Sequence, residues 1–261
     1  MKKNISVINL TGTIGKEKNS LSHENLENVI KKAFSQRNLI AVALKVNSPG
    51  GSPVQSDIIS GRIRSLSKKK NIPVYAFCED VAASGGYWLA CAADYIYAMP
   101  SSIIGSIGVI SSSFGFSELI KNYGIERRVY TSGESKSKLD PFQPEDKNEV
   151  EKLKQIQSKI HEDFKKYVKQ RRKDKLVLNN ENIFAGDFWT AEDAIELGLI
   201  DGIGDLYTML EYNFKDARIK EFSQKKSFFQ KLKSGDTMIE DFSDSIISSV
   251  ENKIKWQQFG L

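Results

Sequence analysis

The distribution of apolar residues predicts strands and helices in alternation along the first half of the chain. Apolar and polar residues alternate over Ile5 to Leu10, which predicts a strand. Leu39 to Val46 is almost continuously apolar, as expected of a strand covered on both faces of a parallel sheet. Between them, an amphipathic helix is predicted from apolar positions at helical spacing: Leu26, Val29, Ile30 and Ala33. Further strands are predicted at Ile72–Cys78, Asp94–Ala98 and Arg127–Tyr130, and further helices at Ile58–Leu66, Tyr87–Ala93 and Ser117–Asn122.

This alternation indicates an α/β fold with a mostly parallel sheet. In such sheets, ligands bind beyond the carboxyl ends of the strands. Two glycine-bearing loops, Ser48–Gly51 and Ser84–Gly86, follow predicted strands. We therefore expect both loops at the functional edge of the sheet.

The second half of the chain is dominated by a long helix predicted from Pro144 to about Lys175. The basic run at its far end favours a solvated helix end that complements the helix dipole, with an acidic membrane surface as the lesser alternative. Residues 211–261 differ in character from the domain predicted over residues 1–210. This tail contains an amphipathic helix ending near Trp256, with the apolar positions Ile239, Phe242, Ile246, Val250 and Ile254.

Composition is that of a soluble globular protein, with 40% hydrophobic and 27% charged residues. The net charge of +5 is mild, and no basic run is interleaved with aromatic residues, so nucleic acid is not an expected partner. No apolar stretch approaches the roughly 18 residues of a membrane span, and Ile5–Leu10 is too short for a signal-peptide core. Cys78 and Cys91 lie in apolar segments and are expected to be buried thiols without metal-site spacing.

Ser84 lies where a predicted strand turns into a predicted helix, directly before Gly85 and Gly86. The helix start favours negative charge, and the glycines allow a sharp turn and close approach of a substrate backbone. These features suggest that Ser84 is a nucleophile. The alternative is an ordinary helix N-cap serine with glycines for close packing.

A serine nucleophile needs a base. The two histidines, His23 and His161, both fall on predicted helices rather than in strand-end loops, which disfavours a Ser-His-Asp triad. Lysine is another known partner of a nucleophilic serine, provided that its surroundings lower its pKa. The loop Thr131–Lys138 follows a predicted strand and offers Lys136 and Lys138, between which residue chemistry alone does not choose.

Four motifs occur in order along the chain, and together they resemble the short signal peptide peptidase A family of bacteria, including its SohB-like members. The resemblance extends from about Ile5 to Asp205. The motifs are Ser48-Pro49-Gly50-Gly51, Ser84-Gly85-Gly86-Tyr87, Gly105-Ser106-Ile107-Gly108-Val109 and Ser132-Gly133-Glu134-Ser135-Lys136.

The resemblance implies a Clp protease/crotonase-like fold with repeated β-β-α units and a mostly parallel sheet. It also implies a serine protease with a Ser/Lys dyad that uses neither a cofactor nor a metal. Carried over to this chain, Ser84 is the nucleophile, Lys136 the general base and Ser106 the hydroxyl that supports the lysine. The backbone N–H groups of Gly51 and Gly85 form the oxyanion hole.

Further implications concern substrates, partners and location. Members of the family cleave apolar, extended peptides such as remnant signal peptides, and they form ring- or dome-shaped homo-oligomers. The tail over residues 211–261 is then expected to pack in an oligomer, with peripheral membrane contact as the alternative. Typical members carry an N-terminal membrane anchor. This sequence shows neither an anchor nor a signal peptide, which predicts a cytoplasmic protein or one peripheral to the membrane.

Two other functions fit a similar fold. A crotonase-like acyl-CoA enzyme would also place backbone amides around an oxyanion, but it needs no serine nucleophile. A catalytically inactive family member would act as an assembly scaffold. The combination of Ser84, Ser106 and Lys136 argues against both.

Overall fold

The computed structural model describes residues 2–17, 19–133, 136–177 and 181–224. These residues divide into two compact units, one containing residues up to Ile107 together with those from Lys165 onward, and the other containing Gly108–Phe164. The strands are β1 (Asn4–Thr11), β2 (Leu39–Ser48), β3 (Val74–Ala83), β4 (Tyr95–Ala98), β5 (Ile103–Gly105), β6 (Phe188–Trp189), β7 (Gly202–Ile203) and β8 (Arg218–Phe222). The helices are α1 (His23–Phe34), α2 (Pro53–Lys70), α3 (Gly85–Ala90), α4 (Ser117–Asn122), α5 (Lys147–Arg172), α6 (Ala191–Glu196) and α7 (Leu206–Asn213).

All eight strands belong to one sheet in the first unit, with the order β6-β5-β3-β2-β1-β8 and with β4 pairing both β3 and β7. Every pairing is parallel except that of β5 with β6. The prediction of an α/β fold with a mostly parallel sheet is therefore confirmed. β3 is longer than predicted, because its first half pairs with β4 and its last three residues pair with β5.

Burial of both faces of the sheet explains why the apolar pattern predicted the central strands. One face of β1 and β2 packs against Leu206 and Leu210 of α7. On β1, the buried Ser6 hydroxyl donates a hydrogen bond to the carbonyl of Ala33 in α1. α3 is buried along its whole length and packs against β2 and β3. This packing holds Ser84, the residue before α3, in a defined position.

The predicted strand at Arg127–Tyr130 is wrong: this segment lies in Gly108–Phe164, has no regular structure and is exposed. A strand requires a hydrogen-bonding neighbour, and the described part of this unit contains no strand to supply one. Arg127 instead forms an ion pair with Asp140, with 2.9 Å between Nε and Oδ2. The loop that carries Lys136 consequently does not follow a strand.

The long helix begins at Lys147, three residues later than predicted, and its basic end is not simply solvated. Arg172 is 2% exposed, and Arg171 is largely buried as well. The domain limit placed after residue 210 falls inside α7, and β8 lies beyond it as an edge strand of the sheet. The predicted tail helix lies outside the described residues, so its role stays a prediction. Among the described helices, none combines the length and the apolar character that crossing a membrane requires.

Candidate active site

The register of three parallel strands brings three loops to the same edge of the sheet. Ser48 at the end of β2 pairs with Ala82 of β3, and Ala83 pairs with Gly105 at the end of β5. The N–H of Ser84 donates to the carbonyl of Gly105 at 2.8 Å. The loops after β2, β3 and β5 therefore meet beside Ser84, as the sequence predicted for the first two.

Ser84 has a backbone conformation that non-glycine residues rarely adopt, with φ 52° and ψ −121°. It occupies the N-cap position of α3, but its side chain makes no capping hydrogen bond. Ser84 therefore occupies the cap position without a capping side chain, while the neighbouring glycines pack closely as that alternative expected. A half-buried hydroxyl held on a sharp strand-to-helix turn is the arrangement that many hydrolases use for a nucleophile.

The turn is possible because backbone packs on backbone beside it. A Cβ atom on Gly86 would lie 2.3 Å from the carbonyl oxygen of Ser48, and one on Gly50 would lie 2.8 Å from the backbone nitrogen of Gly85. Contacts this short exclude any side chain at either position. The two glycine-bearing loops thus touch each other through their main chains.

Ser106 directly follows Gly105, the residue that receives the Ser84 N–H bond. It also has a positive φ, of 51°, and its own N–H donates to the carbonyl of Asp187 at 2.7 Å. Its half-buried side chain belongs to the same unit as Ser84. The structure therefore places both predicted serines on adjoining loop ends.

Gly51 and Gly85, the predicted oxyanion donors, also lie in this unit. Gly51 is exposed and has φ 140°, whereas Gly85 is buried and opens α3. Within the described residues, neither N–H group donates to a protein acceptor. Both are therefore available to an oxygen atom of a ligand.

Lys136 belongs to the second unit, Gly108–Phe164, and is exposed there. Its backbone N–H donates to the carbonyl of Gly133 at 3.2 Å. Lys138, the alternative lysine, is exposed in the same loop. The assignment of the base to Lys136 therefore stays a prediction.

Sequence reasoning missed the arginine side chains that support the C-terminal end of α3. Three carbonyls that follow the helix receive arginine hydrogen bonds: Arg171 donates to Cys91 at 2.8 Å and to Ala93 at 2.8 Å, and Arg64 donates to Ala92 at 3.2 Å. Arginines at a helix C-terminus complement its dipole and satisfy its free carbonyls. Hydrogen bonds from positively charged arginine side chains thus hold the C-terminal end of α3 in place.

Tyr87 and the two cysteines lie in the interior around α3. The Tyr87 hydroxyl donates to the carbonyl of Leu199 at 2.7 Å, and burial holds its pKa well above the ordinary range. Both cysteines are free and buried, as predicted, and burial raises the pKa of Cys91 to about 11 and that of Cys78 further. These groups remain neutral at physiological pH and serve packing. Within the described residues, no cluster of His, Cys, Asp or Glu could hold a metal ion.

The sequence matches the model of one known protein family and is similar to several known proteins. Peptidase family S49 matches residues 66–220. The chain is 44% identical to a protein named Na(+)/H(+) antiporter NhaA from Brucella melitensis, over 93% of this chain but only 34% of that protein. It is 30% identical to a putative signal peptide peptidase SppA from Enterococcus faecium, over 88% of this chain and 70% of that protein.

The fold is similar to that of a solved mutant of the 1510-N membrane-bound stomatin-specific protease, with a TM-score of 0.55. The two chains share 17% identity, and the match covers 85% of this chain and 98% of the other. The expected Clp protease/crotonase-like fold is therefore confirmed.

Proposed function

Because the chain belongs to Peptidase family S49, we propose that it is a serine endopeptidase in which Ser84 is the nucleophile and Lys136 the general base. The observation that carries the proposal is the geometry around Ser84. Its turn is strained, and the Gly50–Gly51 loop lies against it, because a Cβ on Gly50 would lie 2.8 Å from the Ser84 Cβ. The N–H groups of Gly51 and Gly85 have no protein acceptor among the described residues. A nucleophile next to donors for a developing oxyanion is the minimal apparatus for acyl transfer.

In the proposed reaction, the Ser84 oxygen attacks the carbonyl carbon of a peptide bond while the neutral amine of Lys136 takes the hydroxyl proton. Ser106 orients that amine through its hydroxyl. The carbonyl oxygen becomes an oxyanion that accepts hydrogen bonds from the N–H groups of Gly51 and Gly85. Loss of one such donor typically lowers the rate about 100-fold or more.

The tetrahedral intermediate collapses when the carbon–nitrogen bond breaks and Lys136 returns its proton to the leaving amine. Water then attacks the carbonyl carbon of the Ser84 ester while Lys136 takes one of its protons. The bond between that carbon and the Ser84 oxygen breaks, Lys136 returns the proton to the Ser84 oxygen, and the second product leaves as a carboxylic acid. In each half-reaction, Lys136 gives back the proton that it has taken. The reaction therefore requires no cofactor, oxidant or metal.

Apolar, extended peptides such as remnant signal peptides are the proposed substrates. The name of the Enterococcus faecium relative supports this class. The described residues carry exposed apolar side chains in the Gly108–Phe164 unit, among them Ile110 and Phe114, at 87% and 78% exposure. We further propose that the chain acts as a homo-oligomer.

A fluorophosphonate probe tests the nucleophile, because it phosphonylates an activated serine. The wild-type protein should be labelled and should cleave an apolar peptide, and Ser84→Ala should abolish both. Ser101→Ala is the matched control, since Ser101 lies in an exposed turn. Absence of labelling and cleavage in the wild-type protein would leave the inactive assembly scaffold as the better function.

A pH–rate profile tests the base. A general base acts only in its unprotonated form, so kcat/KM of the wild-type protein should rise with pH. Lys136→Ala should remove that rise and lower kcat strongly, by roughly 100-fold or more. Lys138→Ala, in the same exposed loop, should retain the wild-type profile. An unchanged profile in Lys136→Ala would assign the base to another residue.

A further inference from the structure

The loop between β1 and α1 reaches the peptide group that joins Gly50 to Gly51. The N–H of Ile14 donates to the carbonyl of Gly50 at 2.8 Å, and the carbonyl of Ile14 accepts from the N–H of Ser52 at 2.8 Å. Ile14 and Gly51 form a parallel bridge through these two bonds. The glycine loop after β2 is therefore hydrogen-bonded on both sides of Gly51.

These bonds determine where the Gly51 N–H points. A trans peptide group is planar, and its C=O and N–H point in opposite directions. Because the carbonyl of Gly50 is directed at Ile14, the N–H of Gly51 is directed away from Ile14. Rotation of this peptide would break the Ile14–Gly50 bond and would put a carbonyl oxygen where the proposed donor stands.

The side chain of Ile14 contacts the second proposed donor. Ile14 is 3% exposed, and its Cδ1 lies 3.0 Å from the position that a Cβ on Gly85 would occupy. Its carbonyl oxygen lies 2.0 Å from the corresponding position on Gly51, so only glycine permits the bridge. One buried residue therefore touches both glycines, one through its backbone and the other through its side chain.

The loop itself is supported on both sides of Ile14. The N–H of Leu21 donates to Thr13 at 2.8 Å, and the N–H of Gly12 donates to Asn47 at 2.9 Å. Beyond the loop, the N–H of His23 donates to the side chain of Gln55 in α2 at 2.8 Å. Hydrogen bonds before and after Ile14 thus hold the segment that contains it.

From these contacts we propose that Ile14 is the positioning residue of the oxyanion hole. Its backbone holds the Gly51 N–H in the orientation that binds the oxyanion. Its side chain packs against Gly85 and so sets the position of the Gly85 N–H. The inference rests on the proposed function, and it adds that the segment before α1 determines the rate at Ser84 without touching substrate.

The direct test replaces Ile14 by the corresponding α-hydroxy acid, which keeps the side chain, removes the N–H donated to Gly50 and weakens the Thr13 carbonyl as an acceptor. Two matched controls carry the same change at Gly12 and at Leu21. The Gly12 control removes a bond of similar length between the same two segments, and the Leu21 control removes the bond to Thr13 that the ester at position 14 weakens.

A second test uses ordinary mutagenesis on the other bond. Ser52 has φ −60°, which proline adopts without strain. Ser52→Pro removes the N–H donated to Ile14 and the side-chain cap of α2, and it also turns its ring Cδ towards the Ile14 carbonyl, whereas Ser52→Ala removes only the cap. The difference between the two variants therefore reports the loss of the whole Ile14–Ser52 contact.

We expect the ester at Ile14 and Ser52→Pro to lower kcat about 10-fold or more relative to their controls, with KM nearly unchanged. A peptide aldehyde, whose adduct with Ser84 carries an oxyanion, should lose affinity by a similar factor, while a product peptide should bind as before. A purely structural role for Ile14 would not separate these two ligands.

Equal kcat and aldehyde affinity in the Ile14 ester and its controls would overturn the inference. So would a parallel loss of aldehyde and product binding. If the unmodified protein neither reacts with the fluorophosphonate nor cleaves peptides, the proposed function itself fails, and the two failures are thereby distinguished.

Discussion

Ser84 and Ser106 share a backbone feature that links local strain to chemistry. Both have φ near +50°, which costs a non-glycine residue on the order of 1–3 kcal/mol. Ser84 is held there by its N–H bond to Gly105, and Ser106 by its N–H bond to Asp187. The strain is thus offset by main-chain hydrogen bonds to Gly105 and Asp187.

Gly51→Ala tests the glycine bridge at the scale of one residue. The new Cβ would lie 2.0 Å from the carbonyl oxygen of Ile14 at a φ of 140°, so the loop must move. We expect a loss of about 1–3 kcal/mol in the free energy of unfolding and a fall in kcat of roughly 10-fold or more. Urea unfolding and peptide-cleavage kinetics measure the two effects.

Gly61→Ala is the control for that substitution. Gly61 is exposed within α2, and nothing lies within 4 Å of its added Cβ. Alanine at a helix position should raise the free energy of unfolding by up to about 1 kcal/mol. Wild-type kcat in Gly51→Ala would show that the Gly51 peptide does not contribute to the rate.

At this scale, the sequence revealed the residues whose chemistry depends on residue type. Ser84 and the glycines around it could be singled out because a serine beside glycines at a strand end is a pattern of residue types, although a helix cap shares that pattern. Ile14 was missed, because it acts mainly through its backbone, which every residue type shares. Lys136 and Lys138 were not separable from residue chemistry, because both are flexible lysines in one polar loop.

Arg172 and Asp201 form the best-buried ion pair that supports the elements around α3. Arg172 Nη1 lies 2.9 Å from Asp201 Oδ2, and its Nε donates to the carbonyl of Gly198 at 2.8 Å. Arg172→Met should lower the free energy of unfolding by about 3 kcal/mol, because it leaves a largely buried carboxylate without its main partner. Urea unfolding at neutral pH measures the loss.

Arg128→Met provides the comparison for an exposed pair. Arg128 and Glu126 are 66% and 68% exposed, so solvent screens their ion pair and the substitution should hardly change stability. Equal losses in the two variants would mean that burial does not decide the strength of these pairs.

The same pair predicts how stability depends on pH. Burial raises the pKa of Asp201, but hydrogen bonds from Arg172 and Lys175 outweigh burial and hold it below the ordinary value of 3.8. A carboxyl with a lowered pKa stabilises the fold above its unfolded pKa and loses that contribution as the pH falls through the folded one. Asp201→Asn should therefore lose less stability than wild type on acidification below about pH 4, as acid titration of unfolding would show.

Most elements could be predicted because their apolar periodicity reflects burial in a layered sheet. The central strands and α1, α2 and α4 occur where the pattern placed them. Arg127–Tyr130 failed, because four residues with strand character form no strand without a neighbour. β6 and β7, of two residues each, were not predicted, because so short a strand carries no periodicity and is defined only by its partner.

At the scale of the whole molecule, β8 is the strand beside β1 at one edge of the described sheet. It pairs with β1 in parallel through five residue pairs, from Asn4 with Arg218 to Ile8 with Phe222. A chain ending after Phe214 should be less stable than one ending after Gln224 by about 2–4 kcal/mol, because the edge of β1 and its apolar neighbours become exposed. Urea unfolding of both truncations measures the difference.

Light scattering of the chain that ends after Gln224 tests the proposed role of the tail. If residues 225–261 pack in an oligomer, their removal should lower the mass of the assembly. An unchanged mass would assign oligomer contacts to other surfaces. The sequence could not decide this point, because an amphipathic helix has the same apolar spacing whether it covers its own chain, a second copy or a membrane surface.

The two buried thiols can report how often the interior of the molecule opens to a reagent. Cys91 directly follows α3, Cys78 lies in β3, and both are almost fully shielded in the folded chain. A thiol reagent reaches Cys91 only when α3 separates from the sheet, so the rate of its modification reports how often the element that follows Ser84 opens. A covalent ligand on Ser84 that tightens this element would slow the modification, which would make substrate-induced rigidity measurable without adding a probe to the protein.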